Sequence, residues 1–342
     1  MFSRRKYLTL TIGSLAGTCA RGQSGKPDPL AAFLEKYRPP GFSYIVSKDG
    51  KITHQSATGF ANLERKEKLT TTHRFRIASV SKPITATAIF WLIEQGKVKL
   101  SDPVFGPDGI VPGQKDEGIT IHHLLNHTSG GWPNRNKDPM FQENQLGHAD
   151  LIKWTLENRP PDHPPGKNYA YSNFGYCLLG RVIEKASGKS YENIVREHIL
   201  KPCGSEGMFV EKGSREVSYY TDDKPDTYEM NVPRMDAHGG WIGTPKEMLD
   251  FALSVDGFPQ QPDILKQSSL DLMTTASTIN EHYACGWNVN KHGNYWHSGS
   301  LPGLTSLLAR TRSGYCWAAC ANTRRKGMGA AMDRLMWDLA KS

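Results

Sequence analysis

Strand-like runs lie only at the two ends of this 342-residue chain, and that segregation limits its folds more than any other feature. Near the front, FSYIVSKDGKITHQSATGF reads as two extended segments around Asp49-Gly50, a dipeptide that favours a two-residue hairpin turn. Near the back, HYACGWNV, NYWHSG, GLTSLLARTR and YCWAACANT have strand character, with Ser313-Gly314 turning between the last two. Between them the chain breaks into short helical pieces, at 120–127, 148–158, 172–187 and 190–200. These are separated by PNRNKDP, NRPPDHPPGK and KPCG. Two strand groups and their helices, parted by a helical middle, predict an α+β arrangement in which both ends share one layer. The expected division is an α/β part from 28–104 and 235–340 and a helical lobe from 105–234, together one domain over 28–340.

Helix signals agree with that division. Asp28 caps a helix over 28–38 with Pro29 in its first turn, and Leu30, Phe33, Leu34 and Tyr37 form its apolar stripe. Thr244-Pro245-Lys246-Glu247 is a capping box opening a helix through Ala252. The chain ends in an amphipathic helix whose buried stripe is Met332, Leu335, Met336 and Leu339. A long apolar helix runs from Ser79 to Gln95, with Gly96 as its stop and Pro83 tolerated in the first turn. Its start places Ser79 and Lys82 three residues apart on one face, so the amine can reach the hydroxyl. A serine hydroxyl is a weak nucleophile until a neighbouring base takes its proton.

Ser79-Val80-Ser81-Lys82 alone is a weak signal, but it has company. Tyr171-Ser172-Asn173 opens another helix, and His297-Ser298-Gly299 ends a strand of the C-terminal half. In this order, with a helical lobe between first and third, the pieces resemble the serine β-lactamase and penicillin-binding protein superfamily, most closely its class C β-lactamase-related branch of D,D-peptidases, D-aminopeptidases and esterases. HLLNHTSGGWP, YSNFGYCLLGRVIEKASG, HGGWIGTPKEMLDFA and HSGSLPGLTSLLAR carry the resemblance, which covers about residues 28 to 340. It implies a β-lactamase-like fold, an antiparallel sheet flanked by helices plus a helical subdomain. It also implies a serine hydrolase working through a covalent acyl-enzyme on a small-molecule or peptide substrate that carries an acyl group, without cofactor or metal. By the same resemblance Ser79 attacks the acyl carbon, Lys82 and Tyr171 jointly handle its proton, and Asn173 bonds Lys82 and the substrate. The backbone N–H groups of Ser79 and Ser300 form the oxyanion hole, worth about 3 kcal/mol per donor. A cation beside a phenol and burial of the amine would bring both Lys82 and Tyr171 nearer to neutral titration. His297 and Ser298 stand where penicillin-recognising members have lysine and threonine, so carboxylate anchoring weakens and the expectation moves from β-lactams toward esters or D-amino acid peptides. Trp132, Trp241 and Trp296 adjoin the motifs and either wall an apolar acyl pocket or fill the core. The alternative to an enzyme is a scaffold of the same family that binds cell-wall peptide or a partner without turnover.

The remaining features set the setting and exclude other classes. The first twenty residues are a basic start and a short apolar run, and Ser3-Arg4-Arg5-Lys6-Tyr7-Leu8 resembles a twin-arginine export signal, so a periplasmic or secreted location is expected, with no transmembrane anchor after processing. Lipid attachment at Cys19 is the less favoured alternative, because Thr18 stands where a smaller residue is usual. The formal charge is +8, and removing the leader's Arg4, Arg5 and Lys6 leaves about +5, too small an excess to argue for nucleic acid. Arg324, Arg325 and Lys326 read as a solvated loop. Cys177, Cys203, Cys285, Cys316 and Cys320 are odd in number, so one at least is free or bonded to another chain; on one strand Cys316 and Cys320 would be roughly 13 Å apart and should not pair. His123 and His127 have the spacing of a helical zinc pair, with His122 adjacent, but no glutamate follows His123 and no third ligand is evident. A GxSxG elbow of the α/β-hydrolase kind is absent.

Overall fold

Asp28 caps the first helix as its side chain predicts, accepting the Leu30 N–H at 2.9 Å. The computed structural model describes residues 28–111, 118–135, 138–211, 215–221 and 228–342. The leader, its arginine pair and Cys19 lie outside the described residues.

After α1 (Pro29–Tyr37) come β1 (Gly41–Lys48), β2 (Lys51–Asn62), β3 (Glu67–Lys68) and β4 (Phe75–Arg76). The long helix is α2 (Ser81–Glu94). The middle supplies α3 (Ile121–Leu125), α4 (His148–Asn158), α5 (Asn173–Ser187), α6 (Tyr191–Val195) and α7 (Val232–Met235). The C-terminal part runs β5 (Ile242–Gly243), α8 (Pro245–Leu253), α9 (Gln267–Thr274), β6 (Asn288–Val289), β7 (Tyr295–Leu301), β8 (Leu304–Arg310), β9 (Tyr315–Ala321) and α10 (Met328–Lys341). Seven strands form one antiparallel sheet in the order β3-β2-β1-β9-β8-β7-β6, so the two ends of the chain meet where β1 pairs β9. Asp49 and Gly50 turn the β1–β2 hairpin with positive φ at both positions, the conformation that suits the strands' twist.

Alternation along β9 divides the core. Trp317, Ala319 and Ala321 pack under α1 and α10 on one face, while Cys316, Ala318 and Cys320 join the larger core on the other. All five described cysteines are unpaired. That larger core surrounds α2, which is buried from Ser81 through Phe90 and again at Leu92. A helix apolar on all sides is a core helix, and each large side chain it buries contributes about 1.5–3 kcal/mol. Its polar residues are matched: Thr85 Oγ1 lies 2.6 Å from both the Tyr191 hydroxyl and the Ala237 carbonyl. The strand expected over HYACGWNV shrinks to β6, because Gly286 takes positive φ beneath α2. A Cβ there would meet Ala86 Cβ at 2.7 Å. No helix of the described residues is long and apolar enough to cross a membrane.

Candidate active site

The helix expected from Ser79 begins differently: a 3₁₀ turn over Ala78–Val80 leads into α2. Ala78 holds φ +48°, a left-handed conformation that a non-glycine residue adopts at a cost of about 1–3 kcal/mol and that recurs at functional turns. Lys82 follows one turn later and is fully buried. Its Nζ lies 3.2 Å from Ser79 Oγ, 2.7 Å from Asn173 Oδ1 and 2.9 Å from the His238 carbonyl. Burial pushes the amine down to about 7, with the Asp138 charge opposing part of that fall. Two of the three partners can only accept. A neutral amine has two N–H bonds and one lone pair, so with both N–H groups committed to Asn173 and His238 the lone pair faces Ser79 Oγ–H.

Asn173 owes its orientation to Asp138, whose Oδ2 accepts Nδ2–H at 2.6 Å. The Asp138 Oδ1 accepts the Met140 N–H at 3.0 Å. Local structure places both residues: Ser172 caps α5 by accepting the Gly175 N–H, and Asp138 caps the short turn 139–141. The Tyr171 ring lies 4.8 Å from Lys82 Nζ. The expectation that Tyr171 would titrate nearer neutrality is overturned. Burial pushes its phenol upward and outweighs the interaction with Ser79 that pulls it down, so Tyr171 stays protonated.

On the strand side His297 is 2% exposed and pushed down to about 3, first by burial and then by Lys82. It belongs to a buried chain of hydrogen bonds whose proton positions follow from its ends. The Ser172 N–H can only donate, so His127 Nδ1 accepts it at 3.1 Å. His127 Nε2–H then donates to the Tyr283 hydroxyl, 3.1 Å away. At the other end the Ser298 carbonyl can only accept, so His297 Nδ1–H donates to it at 2.9 Å. With His297 held neutral its Nε2 can only accept, so the Tyr283 hydroxyl, which also meets Tyr176, donates to it at 3.2 Å. Both imidazoles are therefore neutral, each in one tautomer. Gly299 faces the 3₁₀ turn that carries Ser79, where a Cβ would run into Ser306 Oγ and the Ile77 carbonyl and reach Ala78 Cβ at 3.0 Å. Only glycine lets β7 approach so closely.

Ser79 and Ser300 line one cleft of about 680 Å³, together with Asn173 and Asp138. Ser298 shares the exposed face of β7 with Ser300 but lies two residues further from the cleft, and it lines an adjoining groove of about 490 Å³ with Ser300, Arg324, Arg325 and Lys326. The basic triplet is thus a groove wall rather than a loop apart from the site. None of the three tryptophans walls the Ser79 cleft: Trp132 is buried with its indole N–H on the Arg159 carbonyl, Trp241 against Tyr191, and Trp296 packs on the α10 side of the sheet. The apolar walls are Phe141, Met230, Met235 and Leu301. Phe141, Met230 and Met235 sit in or beside helical pieces of three or four residues, too short for a periodicity to mark them. Asp138 and Tyr283 were equally unmarked, although Asp138 before Pro139 carried a capping signal. The three histidines diverge: His122 meets Asn126, His123 caps α3 at Thr120, and His127 serves the buried chain. Among the described residues no three His, Cys, Asp or Glu side chains converge as metal ligands would.

Comparison with known proteins follows the same outline. The family described as Beta-lactamase matches residues 29–341. A penicillin-binding protein of Bacillus subtilis is 30% identical over 306 residues, covering 81% of this chain and 66% of that relative. The chain thus spans slightly less than two thirds of that curated relative's length. The D-amino acid amidase of Ochrobactrum anthropi, solved with L-phenylalanine amide, superposes with a TM-score of 0.77 at 24% identity over 92% of this chain and 97% of its own. An octameric penicillin-binding protein homologue from Pyrococcus abyssi gives 0.75 at 24% identity, covering 91% and 75%. At such identities the structural likeness speaks to the fold.

Proposed function

This chain belongs to the β-lactamase family, and from that premise we propose that it is a serine hydrolase that cleaves an ester or amide through an acyl-enzyme on Ser79. The observation that carries the reading is Lys82, enclosed, pushed down to about 7, and aimed at Ser79 Oγ by two fixed acceptors. Near neutral pH a substantial share of the amine is unprotonated and can act as base. In acylation the Ser79 Oγ–H proton passes to Lys82 while Oγ bonds the carbonyl carbon. The oxyanion that forms is held by the N–H groups of Ser79 and Ser300. Collapse breaks the bond to the leaving group, which takes a proton from the Tyr171 phenol as Lys82 returns one to Tyr171. Water then attacks the acyl-enzyme by the same relay, and Ser79 regains its proton.

His297 narrows the substrate. With His297 held neutral, β7 itself offers no cation where penicillin-recognising members have lysine, and the cation Arg324 lines the cleft from outside that strand; weaker carboxylate anchoring on β7 favours esters and amino-acid amides, including those of D configuration, over penicillins. Export to the periplasm or beyond is part of the same proposal and rests on residues 1–20; cell fractionation of the tagged full chain checks it. The function itself is tested by intact mass after a fluorophosphonate probe. One adduct on the wild-type protein, formed with loss of fluoride and absent from Ser79→Ala, is expected. Absence from both overturns the reading and returns the chain to a binding role.

A further inference from the structure

The cleft holds a carboxylate that orients Asn173 but makes and breaks no bond in acyl transfer. Asp138 faces the same cavity as Ser79, on the wall carrying Asn173 and Phe141. Both its oxygens accept a hydrogen bond, from Asn173 Nδ2 at 2.6 Å and the Met140 N–H at 3.0 Å. Burial pushes this carboxyl up, and the Met140 and Asn173 hydrogen bonds with the Lys82 and Arg159 charges pull against that; both oxygens accepting is the arrangement of an ionised group, since a protonated carboxyl would need an acceptor for its own O–H. Two partners leave about two lone-pair positions unused. Of the cations around it, Lys82 is bonded to Asn173 and His238 and Arg234 to the carbonyls of Met140, Glu143 and Leu146, while Arg159 acts on Asp138 through its charge and Arg324 lines the same cleft. A further polar atom on this cleft's residues, the buried His238 Nε2, has no partner among the described residues. A charge so placed attracts a cationic donor and repels an anion.

We infer that Asp138 is a specificity residue that receives the protonated α-amine of the substrate, making the preferred class α-amino acyl amides or esters with a free amino group. This rests on the hydrolase reading. In an aminoacyl group the amine nitrogen is only about 2.5 Å from the carbonyl carbon, so a carbon poised over Ser79 carries its amine within the same cleft. The side chain then has Phe141, Met230 and Met235 for company. Binding also feeds back on the chemistry. The Asp138 charge holds the Lys82 proton on; an ammonium that neutralises Asp138 loosens it and favours the free base. The groups that set this balance are Lys82, Arg159 and Arg234 around Asp138, and Tyr171, His127, His238 and His297 around Lys82.

The test compares phenylalanine p-nitroanilide, as each enantiomer, with its N-acetyl counterpart at pH 7, in wild type and Asp138→Asn. Wild type should favour the free amine by about 10- to 100-fold in kcat/KM, and Asp138→Asn should bring that ratio near one. The acid limb with the acetylated substrate should move to lower pH in the variant, because the charge that raised Lys82 is gone. A purely structural role lowers both substrates alike and leaves the ratio unchanged, which overturns the inference, as does a wild-type preference for the acetylated compound. Fluorophosphonate labelling of Ser79 in both proteins separates the two failures: labelling without amine preference sinks only this inference, and no labelling of wild type sinks the hydrolase reading. Should neither anilide turn over, calorimetry of Ser79→Ala with phenylalanine amide and N-acetylphenylalanine amide decides. Tighter binding of the free amine by about tenfold or more is expected, and equal affinity overturns the inference.

Discussion

Two buried hydrogen-bond chains flank Ser79, and they are built from different chemistry. On the lobe side, Lys82, Asn173 and Asp138 form a charged series whose amine is pushed down to about 7. On the strand side, His127, Tyr283 and His297 form a neutral series that begins at a backbone N–H and ends at a backbone carbonyl. Each chain spans from one motif to another, and both are removed from water. A chain with a charge and a lone pair to spare can move a proton, whereas one whose donors and acceptors are all spoken for fixes positions. On the proposed reading the site divides its work: base chemistry on α2 and α5, geometry on β7.

The strongest blow to that division is Lys82→Met, which keeps length and burial but removes the lone pair. Fluorophosphonate labelling of Ser79 should slow by about 10³-fold, within the range of losing a general base. The wild-type labelling rate should rise with pH through an inflection near 7, since the reactive form is the unprotonated amine and activity is lost as pH falls below that value. A profile flat from pH 6 to 8 would deny Lys82 the role. Next in size is Gly299→Ala on the strand side. A Cβ there meets Ile77 and Ser306, so β7 must withdraw from the 3₁₀ turn and part the two oxyanion donors. A loss of about 10²- to 10³-fold in labelling rate is expected, with a cost of about 1–3 kcal/mol in thermal unfolding. Equal loss of rate and fold would mean that the glycine serves packing alone.

How much of this was legible depended on whether a residue announces itself locally. Asp28, the Asp49-Gly50 turn and the Thr244–Glu247 capping box act on their own neighbours, and each stands where its local chemistry requires. The joining of β1 to β9 was inferable only from the strand runs at both ends, since nothing in either run names its partner. Ser79, Lys82, Tyr171 and Asn173 could be chosen because motif spacing and family resemblance marked them, and the structure brings their side chains to one place. The titration of Tyr171 went the other way because its direction depends on enclosure, which no local pattern reports. Trp132 and Trp241 adjoined the motifs in sequence, yet their indole N–H groups turn into the core. Asp138 and Tyr283 were missed for the same reason: their partners lie 35 and 156 residues away.

Tyr283→Phe is the smallest perturbation and sharpens the comparison most. Removing one hydroxyl leaves His127 Nε2–H without an acceptor and His297 Nε2 without a donor, two buried groups unmatched at about 1–3 kcal/mol each. Stability should therefore fall measurably in thermal or urea unfolding. If no proton crosses this chain during catalysis, the labelling rate at Ser79 should stay within about tenfold of wild type, and its inflection near 7 should not move, because neither imidazole ionises in that range. Nitrogen-15 spectra of the wild-type histidines should show His127 protonated on Nε2 and His297 on Nδ1, with exchange between tautomers appearing only in the variant. A loss of 10³-fold with the fold intact would instead place Tyr283 in the path of the proton, and the two chains would then be one relay closed through Ser79 rather than a base and a brace.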